Sequence, residues 1–381
     1  MYDAIIVGGR CAGAPTAMLL ARAGRRVLLV DRAAFPSDTL STHYIHQPGV
    51  AALRRWGVLD QLAASGCPPI RRFTLDVGPF ALQGTPPPID GVDAAYSPRR
   101  QVLDRILAVA AARAGVEVRE RFAVDELLYE DGRVVGVANR DGVTERARIV
   151  IGADGRHSTV ARAVQAPEYD VEPPLTCAYY TYWSGVEMPG AELYPRDGLM
   201  IVASPTHDDQ IVTIVLWSRE RFGDVRADIE GAFHAALEQA PGLAERLRGG
   251  VREERFRGTL QAPNRFRKPY GPGWALVGDA GFHKDPILAH GISDAFRDAE
   301  LLVQGILDDD LPGYEERRNA MAAAGYASTI EFARLQPPSP EMLGLFEMLR
   351  DDREQRDRFF GTFAGTVSRE DFMSGVAASH R

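Results

Sequence analysis

The stretch MYDAIIVGGRCAGAPTAMLLARAGRRVLLVDR, residues 1–32, decides the fold of this chain. Its first apolar run, residues 4–7, is typical of a strand buried on both faces of a parallel sheet. A glycine-rich turn follows, helical spacing extends over residues 14–23, and a second apolar run ends at Asp31. Pro15 is compatible with this helix because it falls in the first turn. The order strand, turn, helix, strand predicts a βαβ unit and therefore an α/β protein.

The turn between the first strand and the helix has the features of a dinucleotide-binding fingerprint. Gly8, Gly9 and Gly13 permit tight backbone geometry, and the helix N-terminus offers free amides and a positive dipole end to a pyrophosphate. Asp31 follows Gly8 by 23 residues, close to the spacing of the acid that accepts ribose hydroxyls. Arg10 replaces the middle glycine, so its side chain must turn away or itself reach a phosphate. The alternative is an ordinary α/β turn without a ligand.

Composition narrows the class of protein. A chain of 381 residues fits two closely packed domains, and a net charge of -8 argues against nucleic acids and anionic membranes as partners. Three scattered cysteines are too few for a disulfide scaffold or a metal site. The first strand begins at residue 2 or 3, which leaves no room for a signal peptide, and no apolar run is long enough to span a membrane. We therefore expect a cytoplasmic enzyme.

The pattern of apolar and aromatic residues differs between segments of the chain, which predicts two interleaved domains. In three segments, patterns of buried strands alternate with patterns of amphipathic helices. Two other segments contain strand-like runs, in which apolar and polar residues alternate or aromatic residues are frequent. Single helices are expected at 50–63 and 226–248. The sequence predicts a discontinuous Rossmann-type domain formed by residues 1–70, 97–168 and 269–312. An antiparallel-sheet substrate domain is expected from residues 71–96 and 169–268. Residues 313–381 are expected to form a C-terminal helical segment.

Three separated motifs together resemble one family. The N-terminal fingerprint, the strand that ends in GADG (152–155) and the GDAG…DP…G segment (278–291) occur in the order found in FAD-dependent oxidoreductases of the para-hydroxybenzoate hydroxylase-like superfamily. That superfamily includes single-component aromatic hydroxylases, flavin-dependent halogenases and geranylgeranyl reductases. The resemblance covers roughly residues 2–310, and it implies that the Rossmann-type domain binds FAD.

The resemblance also implies which residues hold the cofactor. FAD would be bound non-covalently, with Cys11 and His43 left open as attachment points, and NAD(P)H would be a transient reductant. Asp154 and Asp279 could instead merely cap the turns that follow them. The implied FAD-binding residues are Gly8, Gly9, Arg10, Cys11, Ala12 and Gly13 in the turn, then Asp31, Arg32, Thr42, Arg100, Val124, Asp154, Gly155, Gly278, Asp279, Pro286, Gly291 and Ile292.

Several chemistries are compatible with this family. The preferred hypothesis is a monooxygenase that uses NAD(P)H and O₂ to oxygenate an aromatic or polyketide-like small molecule through a flavin C4a-hydroperoxide. A reductase or dehydrogenase of C=C bonds, similar to geranylgeranyl reductases, is the alternative. A halogenase is disfavoured, since the family requires a lysine near the start of the substrate domain and this chain has no lysine before Lys268. A non-catalytic flavin-binding protein ranks last.

Candidate catalytic and substrate residues follow from these hypotheses. His283 lies between the expected ribitol contact and the flavin-edge loop, where an imidazole could exchange protons near neutral pH. His43 is the second candidate, on the expected opposite side of the ring. Tyr180, Tyr182, Trp183 and Trp217 are expected to line the substrate cavity, or else to fill the core of the second domain. No metal is expected, and the protein is expected to be a monomer or homodimer.

Overall fold

A computed structural model describes residues 1–260 and 263–379 of the chain. Residues 261–262 of the expected substrate domain and residues 380–381 of the expected C-terminal segment lie outside the described residues.

The strands of the described residues form three sheets. In chain order they are β1 (Tyr2–Val7), β2 (Val27–Val30), β3 (Phe73–Asp76), β4 (Ala81–Gly84), β5 (Glu117–Arg119), β6 (Val124–Glu130), β7 (Arg133–Asn139), β8 (Thr144–Gly152), β9 (Glu168–Glu172), β10 (Thr176–Ser184), β11 (Ala191–Arg196), β12 (Leu199–Pro205), β13 (Ile211–Ser218), β14 (Val251–Arg252), β15 (Arg257–Leu260), β16 (Asn264–Arg267), β17 (Tyr270–Gly271), β18 (Trp274–Leu276) and β19 (Phe282–His283).

Helices cover the sheets and make up most of the C-terminal part. They are α1 (Gly13–Arg22), α2 (Gln47–Arg55), α3 (Leu59–Ala63), α4 (Arg100–Arg113), α5 (Thr159–Ala163), α6 (Phe222–Ala227), α7 (Ile229–Leu237), α8 (Pro241–Arg248), α9 (Gly291–Leu307), α10 (Leu311–Ala333), α11 (Pro340–Leu349), α12 (Arg353–Ala364) and α13 (Arg369–Ser379). Short 3-10 turns occur at Arg219–Arg221, Gly278–Ala280 and Pro286–Leu288.

Two helices expected to be continuous are interrupted. The segment expected as 50–63 forms α2 and α3, which are separated at Gly57, a residue with a φ of 70° that ends a helix. The segment expected as 226–248 forms α6, α7 and α8. Asp228 caps α7 by accepting the amide of Gly231, and Pro241 opens α8, so local capping starts new helices where apolar periodicity alone suggested one.

The first sheet has the order β17-β18-β8-β1-β2-β5, and strands β18, β8, β1, β2 and β5 are parallel. The antiparallel pair β6 and β7 attaches to β8. Apolar side chains from both faces of β1 are buried, in one cluster with α1, α4 and α9 and in another with α5 and β7. Strand β1 lies between β8 and β2, so the strand order of the sheet reverses at β1. Ligands of open α/β sheets bind outside the carboxyl ends of the strands at such a point, which here is the turn after β1.

The second sheet, β14-β10-β13-β12-β11-β3-β4, is mostly antiparallel and also pairs β15 with β10. One face packs against α6, α7 and α8. The other face turns toward the first sheet and meets residues of the Pro286–Leu288 turn. Helices α11, α12 and α13 pack beside β3 and β4. The expected α/β architecture, with an antiparallel sheet and C-terminal helices, is confirmed.

Candidate functional site

A long cleft of about 880 Å³ lies along the carboxyl ends of the parallel strands. One end is lined by Asp31, Arg32 and Val124, and the other by residues of the segment that leads into α9. The turn after β1 lies between these ends. Such an elongated cleft has the form that an extended dinucleotide needs, with a place for the adenosine at one end and a place for the ring system at the other.

The turn after β1 depends on glycines because backbone atoms approach it closely. A β-carbon on Gly13 would overlap the carbonyl oxygen of Gly8, and one on Gly8 would meet the carbonyl group of Ala153. Gly8 also has a φ of 106°, a value that favours glycine. The absence of side chains here leaves the start of α1 open to the cleft, as anion binding at a helix N-terminus requires.

Asp31 fixes the turn as well as facing the cleft. Its Oδ2 accepts the amide of Gly9 at 2.7 Å, and its Oδ1 accepts the amide of Ala33 at 2.7 Å. An ionised carboxylate has about four lone-pair sites, so two backbone bonds leave capacity for two ribose hydroxyls. The Asp31 carboxylate therefore holds the turn in place and can still accept hydrogen bonds from a ligand.

Arg10 lines the cleft, and its guanidinium is held by neighbouring residues of the protein. Its guanidinium bonds the backbone oxygen and the hydroxyl of Ser37 and pairs with Asp104 at 2.5 Å. Asp104 is fully buried and also accepts from Arg100 at 3.0 Å and from the Cys11 thiol at 3.4 Å. Burial raises the pKa of Cys11 well above its usual range, so this thiol is protonated. Two arginines thus share one carboxylate beside the cleft, which leaves net positive charge for a pyrophosphate.

The segment between β18 and α9 forms the far wall of the cleft. Gly278 has a φ of 60° and comes close to Ala12, which brings this segment against the first turn. Asp279 faces the cleft. Burial alone would raise the pKa of this carboxyl, but His283 and the charges of Arg156 and Arg100 outweigh burial and lower it. Asp279 is therefore an ionised acceptor, as contact with ribitol hydroxyls would require.

His283 is buried and lines the cleft, and its imidazole contacts the carboxylate of Asp279. Its Nδ1 lies 3.5 Å from Oδ2 of Asp279, and neither ring nitrogen has a hydrogen-bond partner among the described residues. A buried imidazole without partners is costly unless a ligand or water satisfies it. Its ring lies beside the carboxylates of Asp279 and Asp285.

Asp154 makes the contacts of a helix cap. One carboxylate oxygen accepts the Ser158 hydroxyl, and the other accepts the amides of Thr159 and Val160. The capping role considered from the sequence is therefore present, and Asp154 with Gly155 still lines the cleft.

Asp285 gives the protein a pH-dependent stability. Burial raises its pKa to about 6, although bonds from Thr176 and the amide of Ile287 act in the opposite direction. Since the unfolded value is about 3.9, this carboxyl contributes stability fully below about pH 4 and loses that contribution as the pH rises through about 6. We expect Asp285→Asn, relative to the unmodified chain, to gain about 1–3 kcal/mol in free energy of unfolding between pH 4 and pH 7.

Urea unfolding at several pH values measures this effect. The matched control is Asp93→Asn, at a carboxylate whose side chain is 60% exposed, and its difference from the unmodified chain should not vary by more than a few tenths of a kcal/mol. A flat difference for Asp285→Asn would show that Asp285 does not titrate in this range.

A narrow apolar slot adjoins the cleft where the segment before α9 begins. It lies between the second sheet, the loop before α2, the Pro286–Leu288 turn and helix α12. The empty space between its walls is about 710 Å³ out to the mouth. Only about 50 Å³ of this space can hold the centre of a water molecule, so the slot is narrow. We call this space the slot; its lining residues are Thr42, Tyr44, His46, Phe73, Leu75, Ala191, Leu193, Val202, Ser204, Ile214, Leu216, Pro286, Ile287, Leu288, Ala289, Phe360 and Phe363.

The residues predicted to line a substrate cavity divide between the two faces of the second sheet. Tyr180 lines the cleft, and Tyr182 packs on the same face. Trp183 and Trp217 lie on the opposite face, in the core formed with α6, α7 and α8, and this corrects their expected role. Side chains alternate along a strand, so Tyr182 and Trp183 cannot both face the cleft.

His43 also differs from expectation. Its neighbour Thr42 lines the cleft, but His43 is fully buried behind Tyr180, and its Nε2 is 2.8 Å from the Tyr182 hydroxyl. Burial lowers the pKa of His43 to about 3, with further lowering by the charges of Arg100 and Arg99. The ring is therefore neutral and does not face the cofactor cleft.

The remaining predicted cofactor residues are brought together. Gly9 and Gly13 support the turn, and the lining of the cleft includes Gly8, Arg10, Cys11, Ala12, Asp31, Arg32, Thr42, Arg100, Val124, Asp154, Gly155, Asp279, Pro286, Gly291 and Ile292. Sequence reasoning missed Asp104, although its place four residues after Arg100 on a helix is an ion-pair signal. It also missed Tyr44 and the C-terminal phenylalanines of the slot, for which no local signal exists.

The residues of the cleft fit FAD. The glycine turn would cradle the pyrophosphate, and the arginine pair around Asp104 would compensate its charge. Asp279 would accept hydroxyl groups, and His283, whose ring nitrogens have no hydrogen bond among the described residues, would offer a polar contact. The start of α9, at Gly291, meets the ring end of the cleft, and amides there would favour negative charge on the ring.

Comparison with known proteins identifies the family of the chain. Residues 1–307 match the model of the FAD binding domain family, and the chain therefore belongs to that family. It is 29% identical over 348 residues to digeranylgeranylglycerophospholipid reductase 1 of Methanopyrus kandleri, an alignment covering 83% of this chain and 85% of the relative. It is 27% identical to 6-methylpretetramide 4-monooxygenase of Streptomyces rimosus, covering 90% and 84%.

A solved structure has the same fold. The myxobacterial chondrochloren halogenase CndH superposes with a TM-score of 0.79 at 24% identity, covering 93% of this chain and 91% of that one. The protein is an FAD-dependent oxidoreductase whose relatives include monooxygenases, halogenases and geranylgeranyl reductases.

Two features are absent from the part of the chain that the structure describes. Within 1–260 and 263–379, no three His, Cys, Asp or Glu side chains cluster in a way that could hold a metal ion. In the same ranges, no helix combines the length and apolarity that crossing a bilayer demands.

Proposed function

We propose that this FAD-dependent oxidoreductase is a monooxygenase that uses NAD(P)H and O₂ to oxygenate an aromatic or polyketide-like small molecule. Bound FAD would supply the redox chemistry, with hydride taken from NAD(P)H, one oxygen atom of O₂ passed to the substrate and the other released as water. The observation that carries the proposal is the apolar slot beside the ring end of the cleft, because oxygen transfer needs a substrate held next to the flavin and away from water.

The residues of the chain have distinct roles in this proposal. Arg100 and the glycine turn would bind the pyrophosphate, Asp31 the ribose and Asp279 the ribitol hydroxyls. His283 would hold or release a proton at its unpartnered ring nitrogens, beside the segment that borders the ring. Tyr180 would meet the substrate at the junction of cleft and slot, where its buried hydroxyl has no partner among the described residues. FAD would be held without a covalent bond.

Halogenation is disfavoured by the distribution of lysines. Only Lys268 and Lys284 occur in the chain, so no lysine precedes the second half of the substrate domain. Lys284 pairs with Asp294 at 3.0 Å and its side chain is only 6% exposed. A lysine committed to a buried ion pair is a poor candidate for a reactive amine.

Reduction of C=C bonds is the second candidate. Similarity to digeranylgeranylglycerophospholipid reductase 1 favours it, and an uncharged slot would also accept a prenyl chain. Both candidates share the FAD site and differ in what the reduced enzyme does with oxygen.

Stopped-flow absorbance distinguishes the two. The purified yellow enzyme is reduced anaerobically with NADPH or NADH and mixed with oxygenated buffer. A monooxygenase should give a transient near-ultraviolet absorbance before the oxidised flavin spectrum returns. Direct return of that spectrum, with candidate substrates present as well, would contradict the proposal and favour the reductase.

A variant of His283 tests whether this side chain is the proton-exchanging group. We expect His283→Asn to slow turnover by about 10²-fold or more, since general acid–base groups contribute that much, while FAD remains bound. A change below about threefold would reduce His283 to a structural role.

A further inference from the structure

We propose that the slot selects an uncharged, largely apolar molecule with a hydroxyl group, and that Tyr44 and His46 hold this hydroxyl. The inference rests on the proposed function, because it takes the slot as the place where the substrate meets the flavin. It goes further by assigning the chemical class of the ligand and the two side chains that recognise it.

The slot is neutral, in contrast to the cleft. Of the described residues that line it, none is an aspartate, glutamate, lysine or arginine, and the polar ones are Thr42, Tyr44, His46 and Ser204. A carboxylate buried there would lose its hydration without a counter-charge. The cleft next to it is instead lined by charged residues of both signs, and its cations are Arg10, Arg32, Arg100, Arg140, Arg156, Arg162 and Lys284, beside six aspartates. Anionic groups of the cofactors therefore have a place in the cleft, and an anionic substrate has none in the slot.

Two unsatisfied polar atoms belong to neighbouring side chains of the slot. The hydroxyl of Tyr44 and Nδ1 of His46 are buried and have no hydrogen-bond partner among the described residues. Each residue is only 5% exposed, and the two rings lie 4.8 Å apart, edge to face. Buried polar atoms in native proteins nearly always have a partner, so a pair of them in one slot points to a ligand.

The tautomer of His46 follows from its other nitrogen. Nε2 lies 3.0 Å from the carbonyl oxygen of Leu288, which can only accept, so Nε2 carries the proton. Burial lowers the pKa of His46 to about 3, helped by the charge of His290, and the ring is therefore neutral. Nδ1 is then an acceptor. Burial raises the pKa of Tyr44, which keeps its proton and can donate or accept.

A ligand hydroxyl matches this pair best. It donates its proton to Nδ1 of His46 and accepts from the hydroxyl of Tyr44, so that both protein atoms are satisfied. An ether or ketone oxygen can accept from Tyr44 but leaves Nδ1 unpaired. A hydrocarbon satisfies neither atom. The narrow width of the slot, bounded on one side by Phe360 and Phe363 of α12, favours a flat or thin molecule around this hydroxyl.

Binding to the oxidised, FAD-loaded enzyme tests the proposal. Isothermal titration calorimetry at pH 7 compares 2-naphthol with 2-methoxynaphthalene, naphthalene and 2-naphthoate, which share one ring system. We expect 2-naphthol to bind about tenfold more tightly than each of the other three. Tyr44→Phe should weaken 2-naphthol about 5- to 10-fold and leave naphthalene unchanged, since only the hydroxyl contact is lost.

Tyr129→Phe is the matched control. Tyr129 is 50% exposed and its hydroxyl bonds the carbonyl of Ala163, away from the slot, so all four affinities should be unchanged. Tyr44→Phe removes a hydroxyl that has no partner among the described residues, and retention of the yellow colour verifies that the variant is folded.

Three outcomes would overturn the proposal: equal or tighter binding of 2-naphthoate, equal weakening of naphthol and naphthalene by Tyr44→Phe, or no binding of 2-naphthol. The measurement needs no turnover. Failure of oxygen transfer in the stopped-flow experiment would therefore leave this result standing, and failure here would leave oxygen transfer open.

Discussion

Replacement of Gly13 by alanine should yield a colourless, destabilised protein. A β-carbon at this position would overlap the carbonyl oxygen of Gly8 and crowd the side chain of Ala153, and backbone atoms in a closed turn cannot move aside cheaply. The cost should reach at least the upper end of ordinary overpacking, about 3 kcal/mol. FAD absorbance per protein and the melting temperature measure the effect.

The control for this variant is another glycine with free space around it. Gly223 lies exposed in α6 with no atom near the place of a β-carbon, and Gly223→Ala should keep FAD and change stability by less than about 1 kcal/mol, in the stabilising direction. Full flavin content in Gly13→Ala would show that the turn is more compliant than its geometry indicates.

Loss of the Asp104 carboxylate should have the second large effect. Asp104→Ala removes the buried partner of Arg100, itself only 8% exposed, and leaves an uncompensated buried charge. Breaking such a pair costs about 3–5 kcal/mol. We expect this loss in urea unfolding of the FAD-free protein, and a smaller loss with excess FAD, since a pyrophosphate beside Arg100 replaces part of the missing negative charge.

The comparison with an exposed ion pair isolates the effect of burial. Arg71 and Asp93 pair at 2.9 Å with side chains 54% and 60% exposed, and Asp93→Ala should cost no more than about 1 kcal/mol. Equal losses in the two variants, or a loss for Asp104→Ala that FAD does not reduce, would contradict the role of Asp104 as the counter-ion behind the pyrophosphate site.

The parts of the site that are local in sequence were predictable. The glycine turn, Asp31 and the segment that leads into α9 each depend on a strand that ends in a turn, and residues 1–32 contain the first such unit completely. For Arg10 the sequence left only two alternatives, because a side chain in a glycine cradle has little freedom. FAD binding and the α/β fold followed from three such local motifs.

The remainder depends on which elements meet in space. Alternation along β10 separates Tyr182 from Trp183, but only the position of α6, α7 and α8 determines which face becomes core. His43 was expected at the cofactor because its loop should lie on the opposite side of the ring. Thr42 of that loop does line the cleft, yet neighbouring residues of a loop point in different directions. Tyr44 and Phe360 come together across more than 300 residues of chain, a contact that no local pattern indicates.

The origin of Phe360 and Phe363 has an evolutionary consequence. The match to the FAD binding domain family ends at residue 307, whereas α12, one wall of the slot, comes from residues 353–364. The slot therefore combines residues of the matched segment, Tyr44 and His46 among them, with one wall from outside it. Under the proposed role of the slot, exchange of the terminal helices between relatives would change the shape of the molecule that fits, while the hydroxyl contact and the inherited redox machinery are kept.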